Sequence, residues 1–284
     1  MLLSPRYSGP PILTIDGDPS DVLGPLVGQR RRLASTLATL TDQQWHAQSR
    51  CEAWTVRDVV AHLAAINPLF VKSAIAGLEG NPTRLMQYFD PAVTPPQMVD
   101  AMSALSPSEV LDLFVTSNDD LFSVVQNLDD AGWSTLAESP PGDVSIRLLM
   151  SHALWDGWVH ERDILLPLGM EPTVVAEEVT ASLRYVAALS PAFAFGAGRA
   201  YAGKFGIRAT DPDFDRVIDV ADSVAVRAVE VAEGVPVLRG SAVELAEALS
   251  TRFPLPADAP TEWQRLLLGL EHTWDLATDP ESAR

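Results

Sequence analysis

Three polar side chains interrupt two strongly apolar helical segments, and they constrain the fold more than any other feature of the chain. His62 shares a helical face with Val59 and Ile66, so it points toward the core. Asp156 and His160 are four residues apart in a later apolar segment, which places them on one face about a turn apart. A buried carboxylate is costly unless it is paired or bound to a cation. Packing the two helices together would bring all three groups to one divalent metal ion.

The same spacing has a simpler interpretation. Asp156 and His160 would then form an ordinary side-chain pair, and His62 would be a core histidine with satisfied hydrogen bonds, because two ligands at this spacing are a weak motif. His152, one turn before Asp156, extends the polar stripe beyond what a purely structural helix requires. Cys51 is the single cysteine, and a lone cysteine is more often a packing residue than a nucleophile.

Charge and composition limit the partners of the chain. Its 284 residues carry a formal net charge of −18, which argues against a nucleic-acid-binding or anionic-membrane surface, since both depend on clustered Lys and Arg. No basic segment followed by an apolar stretch opens the chain, and no uninterrupted apolar run approaches the roughly 20 residues of a spanning helix. One cysteine cannot form an internal disulfide. We expect a cytoplasmic protein that binds neither nucleic acid nor membrane.

Hydrophobic periodicity predicts the secondary structure. In the first two thirds of the chain it predicts helices at about 21–41, 107–128, 146–166 and 173–189. A further helix is predicted to begin at Thr55, where Thr55 and Asp58 form a capping box. Proline and glycine predict a loop at 133–143, and glycine and alanine predict a linker at 191–203. The remainder is predicted to form strands at 204–209, 216–220, 223–231 and 236–239 and helices at 241–251 and 260–276.

This order of elements predicts an α+β protein with two domains. Residues 1–20 lack any sustained period and are interpreted as an extended lead-in. Residues 21–194 supply enough helices for an antiparallel four-helix bundle, and residues 195–284 form a smaller α+β domain.

Two stretches of the helical part resemble a known family. Leu40–Trp45 and Ser49–Leu63, the run SRCEAWTVRDVVAHL, are similar to the N-terminal signature of the mycothiol-dependent maleylpyruvate isomerase family, within the DinB-like metal-binding superfamily. Phe205–Asp211 and Leu238–Arg252 resemble the C-terminal module of that family, which is similar to sterol-carrier-like α+β domains.

The resemblance implies a metal site and a thiol cosubstrate. It assigns His62, Asp156 and His160 as ligands of a divalent ion, most simply zinc, although the family's usual acid is glutamate, which is longer than aspartate by one methylene. His152 would then be a partner that orients the ligands. The ion would bind mycothiol as its thiolate, which would attack a small electrophilic substrate in an isomerase or an S-transferase.

Two other functions fit the same sequence. A non-catalytic protein could retain the scaffold and bind an apolar small molecule, and a metal-dependent hydrolase could use water where the thiol would bind. We expect a monomer or a homodimer in each case.

Overall fold

The structure is a computed structural model that describes residues 2–18 and 20–273 of the chain. Those residues form ten α-helices and seven β-strands, with 3-10 turns at Met86–Tyr88 and Leu166–Leu168. The helices are α1 Leu23–Leu37, α2 Asp42–Trp45, α3 Val56–Leu78, α4 Thr94–Asp100, α5 Pro107–Val125, α6 Asp130–Ser134, α7 Ile146–Leu165, α8 Ala176–Gly196, α9 Ala242–Leu249 and α10 Thr261–Thr273. The strands are β1 Leu13–Ile15, β2 Leu136–Ser139, β3 Gly142–Ser145, β4 Gly203–Thr210, β5 Phe214–Val220, β6 Val224–Arg227 and β7 Val237–Ser241.

The start of α3 is determined by its cap. The Thr55 hydroxyl accepts from the Asp58 backbone N–H at 3.3 Å, and the Asp58 carboxylate accepts from the Thr55 N–H at 3.0 Å. The predicted capping box is therefore confirmed, and it satisfies two donors that would otherwise be unpaired at the helix end. Because the helix begins at Val56, His62 lies at the end of its second turn.

Four long helices form the centre of the helical part. Each of these helices contacts two of the others, in the cyclic order α1, α5, α3, α7. By length and composition α3 could also cross a membrane. Here it packs against α5, α7, α4 and β2, and most of its residues are buried. An apolar core helix of this length meets the same criteria as a spanning helix, so the composition of α3 does not indicate a membrane protein.

The second part of the fold contains a five-stranded mixed sheet in the order β1-β6-β5-β4-β7. β5 pairs antiparallel with β4 and β6, while β7 runs parallel to β4. The edge strand β1 belongs to the predicted lead-in, and Leu13 pairs with Val224 in a parallel register. Three residues are too few to show a period, which is why the sequence did not indicate this strand.

Two segments that were predicted to be irregular contain regular secondary structure. The loop predicted at 133–143 is wrong, because β2 and β3 form an antiparallel hairpin there, with Pro140 and Pro141 in its turn, where no ladder donor is needed. The linker predicted at 191–203 is wrong in its first part, since α8 continues through Pro191 to Gly196. The helix predicted at 260–276 is present as α10, and its last three predicted residues lie outside the described part of the chain.

The hydrophobic core is continuous across both parts. One cluster of buried side chains includes residues of α7, α8, α10 and all five strands of the mixed sheet. A second cluster surrounds the N-terminal half of α3 together with α1, α5 and the end of α7. α8 contacts α7 of the helical part and also α9 and α10 of the second part. The domain boundary at 194/195 therefore stays a prediction, because no break in the core marks it.

Candidate metal centre

The structure brings the three predicted donor side chains together between α3 and α7. The His62 Nε2 atom lies 3.8 Å from Asp156 Oδ1, and the His160 Nε2 atom lies 3.5 Å from the same oxygen. One donor atom from each residue lies within 4.8 Å of the others. Each side chain retains 10–13% of its exposure, so the group is enclosed but reachable.

These donors fit a divalent ion. Zinc lies about 2.0–2.2 Å from nitrogen and oxygen ligands, so two ligands at a tetrahedral angle are about 3.4 Å apart, close to both observed separations. Asp156 Oδ2 is buried and has no hydrogen-bond partner among the described residues. An unpaired buried carboxylate oxygen is costly, and a cation would offset that cost. The shorter aspartate side chain nevertheless reaches to within 3.8 Å of both histidine Nε2 atoms.

Asp163 determines the orientation of the His160 ring. Its Oδ2 lies 3.0 Å from His160 Nδ1, so the opposite ring nitrogen faces Asp156. The Asp163 carboxylate also accepts from Arg50 Nε at 3.0 Å and from Arg252 Nη2 at 2.8 Å. Asp163 was not predicted as a site residue, although its spacing of three from His160 places both on one helical face.

A second group of potential donors, Cys51, His160 and Asp163, overlaps the first. The Cys51 sulfur lies 3.8 Å from His160 Nδ1 and donates to Asp163 Oδ2 at 3.4 Å. The Asp163 oxygens already accept from two guanidinium groups and from the imidazole. The carboxylate of the second group therefore has hydrogen-bond partners within the protein. In the first group, Asp156 Oδ2 has none among the described residues.

All three members of the first group lie within a segment that matches a family model. Residues 26–165 match the mycothiol maleylpyruvate isomerase N-terminal domain. The helical part of this chain therefore contains a domain that matches the N-terminal domain of that isomerase family.

Solved structures agree with this domain assignment at the level of the fold. A crystal structure of the mycothiol-dependent maleylpyruvate isomerase matches with a TM-score of 0.58 and 17% sequence identity, over 85% of this chain and 91% of that chain. A mutant of that isomerase with one histidine replaced by alanine matches with a TM-score of 0.58 and 16% identity, over 83% of this chain and 90% of that chain. No curated protein sequence matches this chain.

The charges at the centre of the isomerase-family domain are strongly coupled. Burial alone would lower the pKa of His160, but Asp156, Asp163 and Cys51 outweigh it and raise that pKa to about 10. Burial lowers the pKa of His62, and the nearby Asp156 offsets this only in part. Burial opposes ionisation of Asp156, yet the two histidines hold its pKa below the usual range. In the metal-free protein Asp156 is therefore an anion, the raised pKa of His160 keeps a proton on that ring, and His62 is neutral. Binding of an ion at His160 Nε2 must release that proton.

His152 extends the polar stripe but does not hydrogen-bond to the three donors. Its Nδ1 lies 2.8 Å from the Tyr185 hydroxyl, and its ring is in edge contact with Phe70 and Trp155. Burial lowers the pKa of His152 to about 4, although Asp156 acts in the opposite direction. The predicted role of His152 as an orienting partner of the ligands is therefore not supported by a hydrogen bond, and Asp163 fills that role for His160.

Gly157 allows α1 to approach α7 next to the centre. A Cβ atom at Gly157 would lie 2.7 Å from Gln29 Oε1 and 2.8 Å from Arg30 Cζ. Arg30 is fully buried there and donates to the Ala153 carbonyl at 2.8 Å. Burial lowers the pKa of Arg30 to about 10, and Asp156 opposes that shift, so the guanidinium contributes positive charge behind the carboxylate.

We expect Gly157→Ala to lower the free energy of unfolding by about 1–3 kcal/mol, because two buried side chains must move to admit the methyl group. Urea unfolding measures the change. Gly24→Ala is the matched control, since a Cβ there meets nothing within 4 Å, and it should leave stability unchanged or raise it by up to about 1 kcal/mol. Equal effects at both positions would contradict the close approach of α1 and α7.

Proposed function

We propose that this protein is a metal- and mycothiol-dependent enzyme, an S-transferase or isomerase that acts on a small electrophile. The observation that carries the proposal is the convergence of His62, Asp156 and His160 inside the segment that matches the isomerase N-terminal domain. The fold likeness to the mycothiol-dependent maleylpyruvate isomerase supports the same assignment. The single cysteine and the thiol cosubstrate fit a reducing compartment, so we propose that the enzyme acts in the cytoplasm.

His62 Nε2, Asp156 Oδ1 and His160 Nε2 would hold the metal ion. Two imidazoles and one carboxylate match the ligand number of catalytic zinc sites, which leave a further position open, so zinc is the ion we propose. A divalent ion at this position would lower the pKa of a bound thiol and make its thiolate available at neutral pH.

The surrounding side chains pack against the donors and keep them in place. The Trp54 ring packs over His62 with 5.1 Å between ring centroids, and the His62 and His160 rings meet edge to face at 5.1 Å. Asp163 keeps the His160 ring turned toward Asp156. A centre supported in this way is preorganised, which favours binding of ion and thiol without rearrangement of the protein.

The two proposed reactions differ in the fate of the sulfur. In an isomerase the thiolate adds to an activated cis double bond, rotation follows about the resulting single bond, and the thiolate is released. In a transferase the thiolate displaces a leaving group and remains attached to the substrate. Free mycothiol is therefore unchanged after isomerisation and is consumed by transfer.

The test uses zinc-loaded full-length protein with mycothiol and either maleylpyruvate or a bimane electrophile. We expect turnover that depends on mycothiol, with the concentration of free thiol separating the two reactions. Turnover of an ester or amide without thiol would favour the hydrolase instead. Protein that binds no zinc and turns over none of these substrates would favour the non-catalytic binding protein.

Asp163→Asn should weaken zinc binding by about 10–100-fold, because the amide no longer holds the His160 ring with a charged acceptor. Competition with a chromophoric chelator measures the affinity. Asp215→Asn is the matched control, since Asp215 also pairs with an arginine, Arg208 at 2.9 Å, but lies exposed on β5. An affinity unchanged by Asp163→Asn would show that His160 needs no such support.

A further inference from the structure

A cavity of about 450 Å³ lies where the N-terminal segment crosses the end of α8 and the side of α10. Leu2 and Leu3 line one wall, while Phe193 from α8 and Leu268 from α10 line others. None of these residues belongs to the candidate metal centre. A volume of this size is within the range of small-molecule sites, which are typically about 300–1,000 Å³ and mainly apolar.

The packing of the chain keeps this cavity in shape. The Leu3 N–H donates to the Phe89 carbonyl at 3.0 Å, which anchors the N-terminal wall. A Cβ at Gly196 would lie 2.2 Å from the Ser4 carbonyl oxygen, so the chain passes directly over the end of α8. Leu2 and Leu268 nevertheless keep 53% and 41% of their exposure at the rim. Exposed leucines around a cavity are a feature of apolar ligand sites.

Two arginines give the cavity a positive rim. Arg199 and Arg265 both line it, and neither forms an ion pair with a carboxylate among the described residues. Arg265 is instead held by Tyr201, whose hydroxyl accepts from Nη1 at 3.4 Å and whose ring lies 5.4 Å from the guanidinium carbon. Among the described residues, two guanidinium groups without a carboxylate partner therefore lie at one cavity, in a chain with a net charge of −18. They favour an anionic ligand by charge complementarity.

We propose that this cavity is a second binding site that takes a small anionic amphiphile, a carboxylate on a medium-length alkyl chain. The alkyl chain packs against Leu3, Phe193 and Leu268, and the carboxylate accepts hydrogen bonds from Arg199 and Arg265. The site is separate from the proposed catalytic centre, so its occupancy requires neither the metal ion nor the thiol.

Calorimetric titration of the full-length protein with decanoate tests the site. We expect one equivalent to bind. Decanol and acetate should bind at least about tenfold more weakly, because decanol lacks the carboxylate and acetate lacks the alkyl chain. Binding of decanol as tight as that of decanoate would overturn the anionic assignment. Binding of several weak equivalents would overturn the site itself.

Variants of the two rim arginines test whether decanoate binds in this cavity. Arg199→Gln with Arg265→Gln should weaken decanoate by about tenfold or more and leave decanol unchanged, because only the charge-assisted hydrogen bonds are lost. Arg31→Gln, which removes an exposed arginine of α1, is the control and should leave both affinities unchanged. Asp156→Ala should also retain decanoate binding, so failure of the metal centre and failure of this site are distinguishable. Decanoate binding unaltered by the double variant would overturn the proposal.

Discussion

Asp156→Ala is expected to abolish stoichiometric zinc binding and to reduce mycothiol-dependent turnover by at least about a hundredfold. Asp156 supplies the only anionic donor of the three, and its Oδ1 lies 3.8 Å from His62 Nε2 and 3.5 Å from His160 Nε2. Its loss also removes the carboxylate that contributes most to raising the pKa of His160. Elemental analysis of protein purified without chelator measures the metal content of wild type and variant together.

Two further variants make this result specific. His62→Ala removes a neutral donor from the other helix and should lose the metal equally, because two remaining ligands do not hold zinc in a protein site. Asp215→Ala removes an exposed carboxylate and should retain wild-type metal content. Near-stoichiometric zinc in folded Asp156→Ala would overturn the ligand assignment. A wild-type protein with no zinc, and with unchanged stability when zinc is added, would remove the catalytic proposal altogether.

The convergence of His62, Asp156 and His160 could be predicted because helical periodicity determines which residues share a face. The family resemblance then indicated which two helices meet, something that spacing alone does not contain. Periodicity could not show that an aspartate would reach the donor position. That depends on the distance between α3 and α7, which is set by packing, and Gly157 contributes to this packing where α7 contacts α1.

The support around the donors could not be predicted from the sequence. Arg252 reaches Asp163 across 89 residues of chain, and Arg50 reaches it across 113, so both contacts depend on the tertiary fold. Short elements were missed for a related reason. The strand β1 has three residues and each strand of the β2–β3 hairpin has four, and such lengths carry no clear period. The continuation of α8 past Pro191 reflects burial of Ala192 and Phe193, which outweighs the missing backbone hydrogen bond.

Acidification is expected to destabilise the metal-free protein through His152. Its pKa is lowered by burial to about 4, whereas an unfolded histidine takes up its proton near pH 6.5. Between those values the unfolded state binds more protons than the folded state, so stability falls as the pH falls. The loss is about 1.4 kcal/mol for each pH unit across this window, or about 3 kcal/mol in full. Between pH 7.5 and pH 6.5 His160 acts in the opposite direction, because its raised pKa makes the folded state bind more protons there, and below pH 6.5 its contribution is constant. The difference between wild type and a His152 variant therefore isolates the effect of His152.

Urea unfolding of chelator-treated protein at pH 7.5 and pH 5.5 measures this effect while staying above the isoelectric point near 4.5. His152→Asn, which can keep a hydrogen bond to Tyr185, should lose about 1.4 kcal/mol less than wild type between the two conditions. His46→Asn replaces an exposed histidine at the end of α2 and should behave as wild type. Tyr185→Phe leaves His152 buried and should retain the wild-type pH dependence. An equal loss in wild type and His152→Asn would show that His152 is not the buried neutral group, and the destabilisation would then have to come from His62, the other imidazole whose pKa burial lowers.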